Sequence, residues 1–126
     1  MTRAPFEYVV LRAVPRVDRG ECINVGVMVY SQHRGFLAAR WHVDPDRLRM
    51  LAPDVDVAAV EAALEAIDAT CLGEGPAAAL AIGPRFRWLA APRSTVVQPG
   101  VIHAGLTEDP GAELSRLFER LVTVQG

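Results

Sequence analysis

The chain contains no lysine. All 13 of its basic residues are arginine, set against 15 acidic ones for a net charge of −2 with neutral histidines. A compositional preference of the host genome explains this as well as any function does. A dedicated nucleic-acid binder would carry a clear basic excess, so the balance argues against one. Cysteine is scarce too: Cys22 and Cys71 lie far apart and match no metal-ligand spacing, and they read as reduced thiols of a cytosolic protein. No uncharged stretch reaches the ~18 apolar residues that a spanning helix needs. The longest, Ser94–Thr107, is interrupted by Gln98, Pro99, Gly100 and His103. Arg3 near the start is not followed by an apolar segment, so no secretory signal is expected. A soluble cytoplasmic protein with no membrane partner is the expectation.

What is there describes an ordinary globule. Of 126 residues, 51% are apolar and 22% charged, which suits a single domain over residues 1–126. A chain of this size buries roughly two thirds of its unfolded surface and needs no metal or disulfide to fold.

Three strand-like segments come first: Phe6–Val14, rich in β-branched and aromatic residues and closed by Pro15, then Cys22–Ser31 and Phe36–Val43. The turn Gln32–Gly35 predicts an antiparallel hairpin between the second and third. The short connection Pro15–Glu21 lets the first strand pair the same way, giving a three-stranded meander. Asp44-Pro45-Asp46 opens a short helix over Arg47–Leu51, and Pro53 ends it. Asp54 or Asp56 caps a helix running to about Leu72, where Val60, Leu64, Ile67 and Cys71 make one apolar stripe. Gly73–Pro76 stops that helix. Ala77–Pro84 is open between helix and turn. Phe86–Ala91 reads as a further strand, with extended pieces at Ser94–Val97 and Val101–His103. Asp109-Pro110 begins a last helix whose stripe is Leu114, Leu117, Phe118, Leu121 and Val122. The fold class is α+β: an antiparallel β-sheet, made of the N-terminal three-stranded meander plus a later strand, with helices packed mainly on one face.

Strict alternation sorts the meander into two faces. Val9, Leu11, Ala13, Ile23, Val25, Val27, Val29, Leu37, Ala39, Trp41 and Val43 form one, uniformly apolar. Tyr8, Val10, Arg12, Asn24, Gly26, Met28, Tyr30, Phe36, Ala38, Arg40 and His42 form the other. That second face is too apolar for plain solvent exposure and too polar for a core, so it should meet another segment, a subunit or a ligand.

The densest polar cluster lies in the first connection, with Arg16, Asp18, Arg19 and Glu21, preceded by Arg12 and followed by Asn24. Arginines beside the amides of a glycine turn hold a phosphate or carboxylate well. The plainer expectation is that the four charges neutralise one another on a solvated loop. Asn24 interrupts a β-branched run, which suits a bulge with Gly26 or a contact to a ligand. Arg93, Ser94, Thr95, Gln98 and His103 make a second group, stiffened by Pro92 and Pro99. Glu21 and His103 are weak catalytic candidates, able to act as an acid–base pair if the fold brought them together. His42 and Asp44 lack a third ligand, so no metal is expected. No nucleophile elbow and no phosphate-binding glycine loop occurs, and no cofactor is implied.

Tyr8–Arg16 followed by Arg19–Val27 resembles the signature of the bacterial "domain of unknown function 3037" family. Pro92–Thr95, Gln98-Pro99, His103–Gly105 and Glu113–Phe118 resemble its actinobacterial members, so the likeness spans nearly the whole chain. Ala13 departs from it, since such members commonly carry a bulkier residue there. The resemblance implies no activity. Its members are often encoded beside a toxin-type serine/threonine kinase of the HipA kind, which implies that kinase as a partner to bind or regulate.

Two functions follow as expectations. The leading one is a non-catalytic protein-interaction module, with Tyr8, Met28, Tyr30 and Phe36 of the mixed face docking a partner or a second copy. The alternative is a small enzyme or ligand sensor for a phosphorylated or nucleotide-like molecule. There Arg12, Arg16 and Arg93 would hold the anion, with Arg19 near, and Asn24 and Gln98 would orient it.

Overall fold

A computed structural model describes residues 2–123; Met1 and residues 124–126, the ends of the expected single domain, lie outside it. The element order is β1 (Ala4–Ala13), β2 (Ile23–Ser31), β3 (Phe36–Trp41), α1 (Pro45–Leu51), α2 (Val57–Cys71), α3 (Ile82–Ala90), β4 (Val97–Pro99), β5 (His103–Thr107) and α4 (Pro110–Leu121). The five strands form one antiparallel sheet in the order β3-β2-β1, with β4 and β5 both beyond β1. β5 runs beside Ala4–Tyr8 and β4 beside Leu11–Ala13, so the fourth position of the sheet is a strand in two pieces. The α+β class and the N-terminal meander are therefore as the sequence predicts. The β2–β3 turn closes at Gly35, whose φ of 58° only glycine adopts without strain.

Strict alternation fails at one place. Leu11 pairs with Gly26 but Arg12 pairs with Asn24, which leaves Val25 as the extra residue of a β-bulge. Before the bulge, Met28 and Tyr30 share the face of Val9, Leu11 and Leu37; beyond it, Val25 and Ile23 join that face. Val27 and Val29 turn the other way, towards Phe6, Tyr8, Phe36 and Ala38. The sorting of odd β2 residues onto one face is corrected accordingly, because an inserted residue shifts a period-2 pattern by one. Met28 and Tyr30 are buried, so they belong to no exposed docking face.

Three helices cover the first face. Leu48 of α1, Val60 and Leu64 of α2, and Phe86 and Leu89 of α3 pack there against the sheet. The second face is covered over β2 and β3 by α4, through Leu114, Leu117, Phe118 and Val122. Capping explains the starts: Asp44, Asp56 and Asp109 each accept backbone N–H bonds at the heads of α1, α2 and α4.

The further strand expected at Phe86–Ala91 is a helix, α3. Phe86, Leu89 and Ala90 recur at three and one residues and are all buried, which is a helical face. Pro84 stands in its first turn, where the missing N–H costs nothing. Arg85 locks the segment down: its guanidinium donates to the carbonyls of Cys71, Ala78 and Leu80. Ala77–Leu80 forms turns rather than helix.

Candidate functional site

The arginines of the first connection meet the carboxylates beside them. Arg16 bonds Asp18 at 3.1 Å and Arg19 bonds Glu21 at 2.6 Å, all four side chains exposed. The hydrogen bond from Arg16, then its charge, holds the Asp18 carboxyl below its ordinary range. Gly20, at φ 72°, turns the chain so that its N–H and that of Arg19 both donate to the Arg16 carbonyl. Asn24 lies beside the bulge and donates to the carbonyl of Leu121 at 3.1 Å. It thereby satisfies one of the orphan carbonyls at the end of α4.

The second group is divided. Arg93 donates to the carbonyls of Trp88 (2.6 Å) and Ala91 (3.3 Å), closing the end of α3, and stacks over the Trp88 ring. Gln98 donates to the Thr95 carbonyl and Thr95 to that of Val97, which braces the turn into β4. Arg12 faces Gln98 across β1 and β4 and lies over Gly100, where a Cβ would be 3.3 Å from its guanidinium. Arg93 borders an apolar groove of about 300 Å³ between α2, α3 and β4; Arg12 borders a hollow with Val101 and Ile102. Pro99 lies between the two and lines both.

Glu21 and His103 are not brought together. His103 pairs with Tyr8 and stacks on its ring at 4.9 Å, whereas Glu21 precedes Ile23, the partner of Ala13. The stretch of β1 from Tyr8 to Ala13 spans about 17 Å. Asp44, the other half of the weak metal pair, caps α1. Among the described residues no three His, Cys, Asp or Glu side chains gather as metal ligands.

One polar cluster escaped the sequence. Arg87 of α3 clasps Glu7 of β1 with two bonds, at 2.7 and 2.8 Å, and those bonds raise the Arg87 pKa. The Tyr30 hydroxyl donates to Gln32 at 2.6 Å beside it, and with His33 they line a hollow of about 150 Å³. Glu7 and Arg87 are 80 positions apart, and a strand reading of Phe86–Ala91 gave no reason to pair them.

The most unusual surface is the open edge of β5. This strand bonds to β1 alone, and at its end Leu106, Thr107 and Glu108 line a hollow with Arg3 and with Ala112, Glu113 and Arg116 of α4. Val101 is 68% exposed, Ile102 42% and Leu106 56%, in a segment with no charge between Arg93 and Glu108. The opposite edge, β3, is flanked by α2 and α4 and carries Arg40, whose guanidinium lies over Phe118. Proteins usually blunt an edge strand with charge, proline or cover; β3 is blunted and β5 is not.

The fold and these surfaces define a small α+β sheet protein with an apolar strand edge at β5 and a polar hollow lined by Glu7, Tyr30, Gln32, His33 and Arg87. The chain belongs to the family described as "Protein of unknown function (DUF3037)", whose model matches residues 8–122, in agreement with the resemblance in its opening strands. No curated protein and no solved structure matches the chain. Among the described residues, no helix is long and apolar enough to cross a membrane.

Proposed function

We propose that this protein is a cytosolic, non-catalytic interaction module. The observation that carries the reading is the edge of β5, which bonds to β1 alone and keeps Val101, Ile102 and Leu106 in solvent. Such an edge offers a row of backbone donors and acceptors to an incoming strand and apolar side chains beside it. The partner class that the family resemblance favours is a HipA-type kinase, of the kind encoded beside members of the family. The reading as an anion sensor has less behind it. Arg16 is engaged by Asp18 and Arg93 by helix carbonyls, and each would have to release its partner to reach a phosphate.

Co-expression with a HipA-type kinase from the same genome, followed by affinity capture, tests the proposal. The kinase is expected to co-purify in stoichiometric amount. Failure to co-purify, together with a thermal shift of the protein by inorganic phosphate or nucleotides that Arg16→Ala and Arg93→Ala both abolish, would replace the module with the sensor.

A further inference from the structure

We infer that the groove between α2, α3 and β4 is a binding site for a small molecule with an apolar body and one carboxylate. None of Val101, Ile102 and Leu106 lines it, so the site is separate from the edge of β5 and goes beyond the interaction reading.

The recess comes from side-chain size. Ala63, Ala66, Ile67 and Thr70 follow one another at three, one and three positions, which makes them a single stripe of α2 facing the groove. Two methyl groups stand in that stripe where larger side chains would close the gap. Trp88 of α3 lines the groove and is 44% exposed, which is high for so large an apolar side chain. The floor belongs to the core, since Leu89 and Val97 are buried. A volume of about 300 Å³ lies at the lower end of small-molecule sites. A docked helix would need a longer surface with anchors on successive turns, whereas this groove has room for one small body.

The polar lining selects the head group. Arg93 is the one charged residue that lines the groove among the described residues; Glu65, Asp68 and Glu74, the acidic residues nearest in sequence to lining positions, line none of it. The other arginines of this region are engaged, Arg85 by three carbonyls and Arg87 by Glu7. Arg93 makes no ion pair among the described residues. Its Nε and Nη2 donate to the carbonyls of Ala91 and Trp88, and the guanidinium lies over the Trp88 ring, so the head is fixed before a ligand arrives. Nη1 has no partner among the described residues and can donate to a carboxylate with both carbonyl bonds kept. The release that a phosphate shared with Arg16 would require is not needed here, because the ligand comes to Arg93 where it stands. Thr70 and Thr95 donate to the carbonyls of Ala66 (2.8 Å) and Val97 (2.7 Å) and have no hydrogen left for an anion. The lining thus offers one side-chain donor, on a cation, beside a surface otherwise apolar.

Isothermal titration calorimetry of the whole chain with octanoate and with naphthoate, each beside its uncharged amide, tests the inference. Both carboxylates are expected to bind at one site per chain, and each amide about tenfold more weakly for want of the charge-assisted bond. Arg93→Gln should bring each carboxylate down to the affinity of its amide and leave the amide unchanged. Ala66→Trp should abolish binding of all four by filling the recess, with circular dichroism unchanged because Ala66 is exposed. The tighter of the two carboxylates tells whether the favoured body is aliphatic or aromatic, and either order supports the site. No binding of either carboxylate up to millimolar concentration, an amide as tight as its acid, or binding that survives Ala66→Trp overturns it. So does an Arg93→Gln variant that weakens acid and amide alike.

Discussion

Asn24 shows how one residue can look functional in sequence and be structural in the fold. Asparagine is disfavoured in the middle of a β-branched strand, and that anomaly is legible. Its use is not, because Leu121, whose carbonyl it holds at 3.1 Å, lies 97 positions away. Asn24→Ala should cost about 1 kcal/mol for the lost bond. Asn24→Asp should cost more at neutral pH, because a carboxylate would face a carbonyl at the negative end of α4. The excess should shrink as acid neutralises the new carboxyl, and urea denaturation at pH 7 and pH 4 measures it. The cysteines give a second contrast at this scale. Cys22 is exposed, while burial, with Asp68 adding and Arg85 opposing, pushes the Cys71 thiol up to about 12. A thiol reagent should therefore modify one cysteine per native chain and two after unfolding. The sign of the pH effect follows. Above the ordinary thiol value of 9.0 the unfolded chain loses this proton while the folded chain keeps it up to about 12. Stability contributed by Cys71 is thus complete below pH 9 and falls as pH rises from 9 to 12. Cys71→Ala should flatten that fall relative to the wild type.

Elements with local signals were legible, and those fixed by distant partners were not. The aspartate caps and the Gln32–Gly35 turn depend on residues within four positions, and the fold uses them as the sequence suggests. The bulge at Val25 and the helix α3 depend on the rest of the molecule. Gly26, beside the bulge, packs so tightly that a Cβ would come within 3.0 Å of the Arg40 carbonyl and the Trp41 Cβ. Asn24 with Gly26 offers a bulge as one reading of Ile23–Ser31, but strict alternation does not show that Val25 is the inserted residue or that the faces exchange beyond it. For α3, six residues with five apolar side chains around Arg87 fit either period, and its helix has no side-chain cap, since Ala81 stands at the N-cap. Ala81→Ser should supply that missing acceptor and stabilise the protein by about 1 kcal/mol in urea denaturation. Arg85 holds α3 to the end of α2 through three carbonyls, a task that depends on the fork of the guanidinium. Arg85→Lys keeps the charge and loses that geometry, and the same measurement should show a loss of about 1–3 kcal/mol. The absence of lysine, unremarkable as composition, thus has a structural consequence at this position.

At the scale of the molecule, the sheet separates two apolar clusters that share its strands and little else. One joins Val9, Leu11 and Met28 to α1, α2 and α3; the other joins Phe6, Val27 and Val29 to α4. This division explains why the mixed face foreseen in the sequence is only partly a surface. α4 covers it over β2 and β3, and the uncovered remainder runs from Tyr8 and His103 to the open edge of β5. It also predicts how the clusters should respond to damage. Val60→Ala removes two methyl groups on one side, at a cost of about 1–3 kcal/mol, and Leu117→Ala opens the other side at about 2–5 kcal/mol. Val60 and Leu117 belong to different clusters, so the two losses should add to within about 0.5 kcal/mol in the double variant. The sheet must nevertheless unfold as a unit, since residues of β1 and β2 belong to both clusters. Tryptophan fluorescence reports on Trp41, which packs against the first cluster, and on Trp88 of α3. Far-ultraviolet circular dichroism includes α4, so the two probes should give one transition. Two separated transitions would mean that α4 leaves the sheet before the rest unfolds, and the losses at Val60 and Leu117 would then describe two independent folding units.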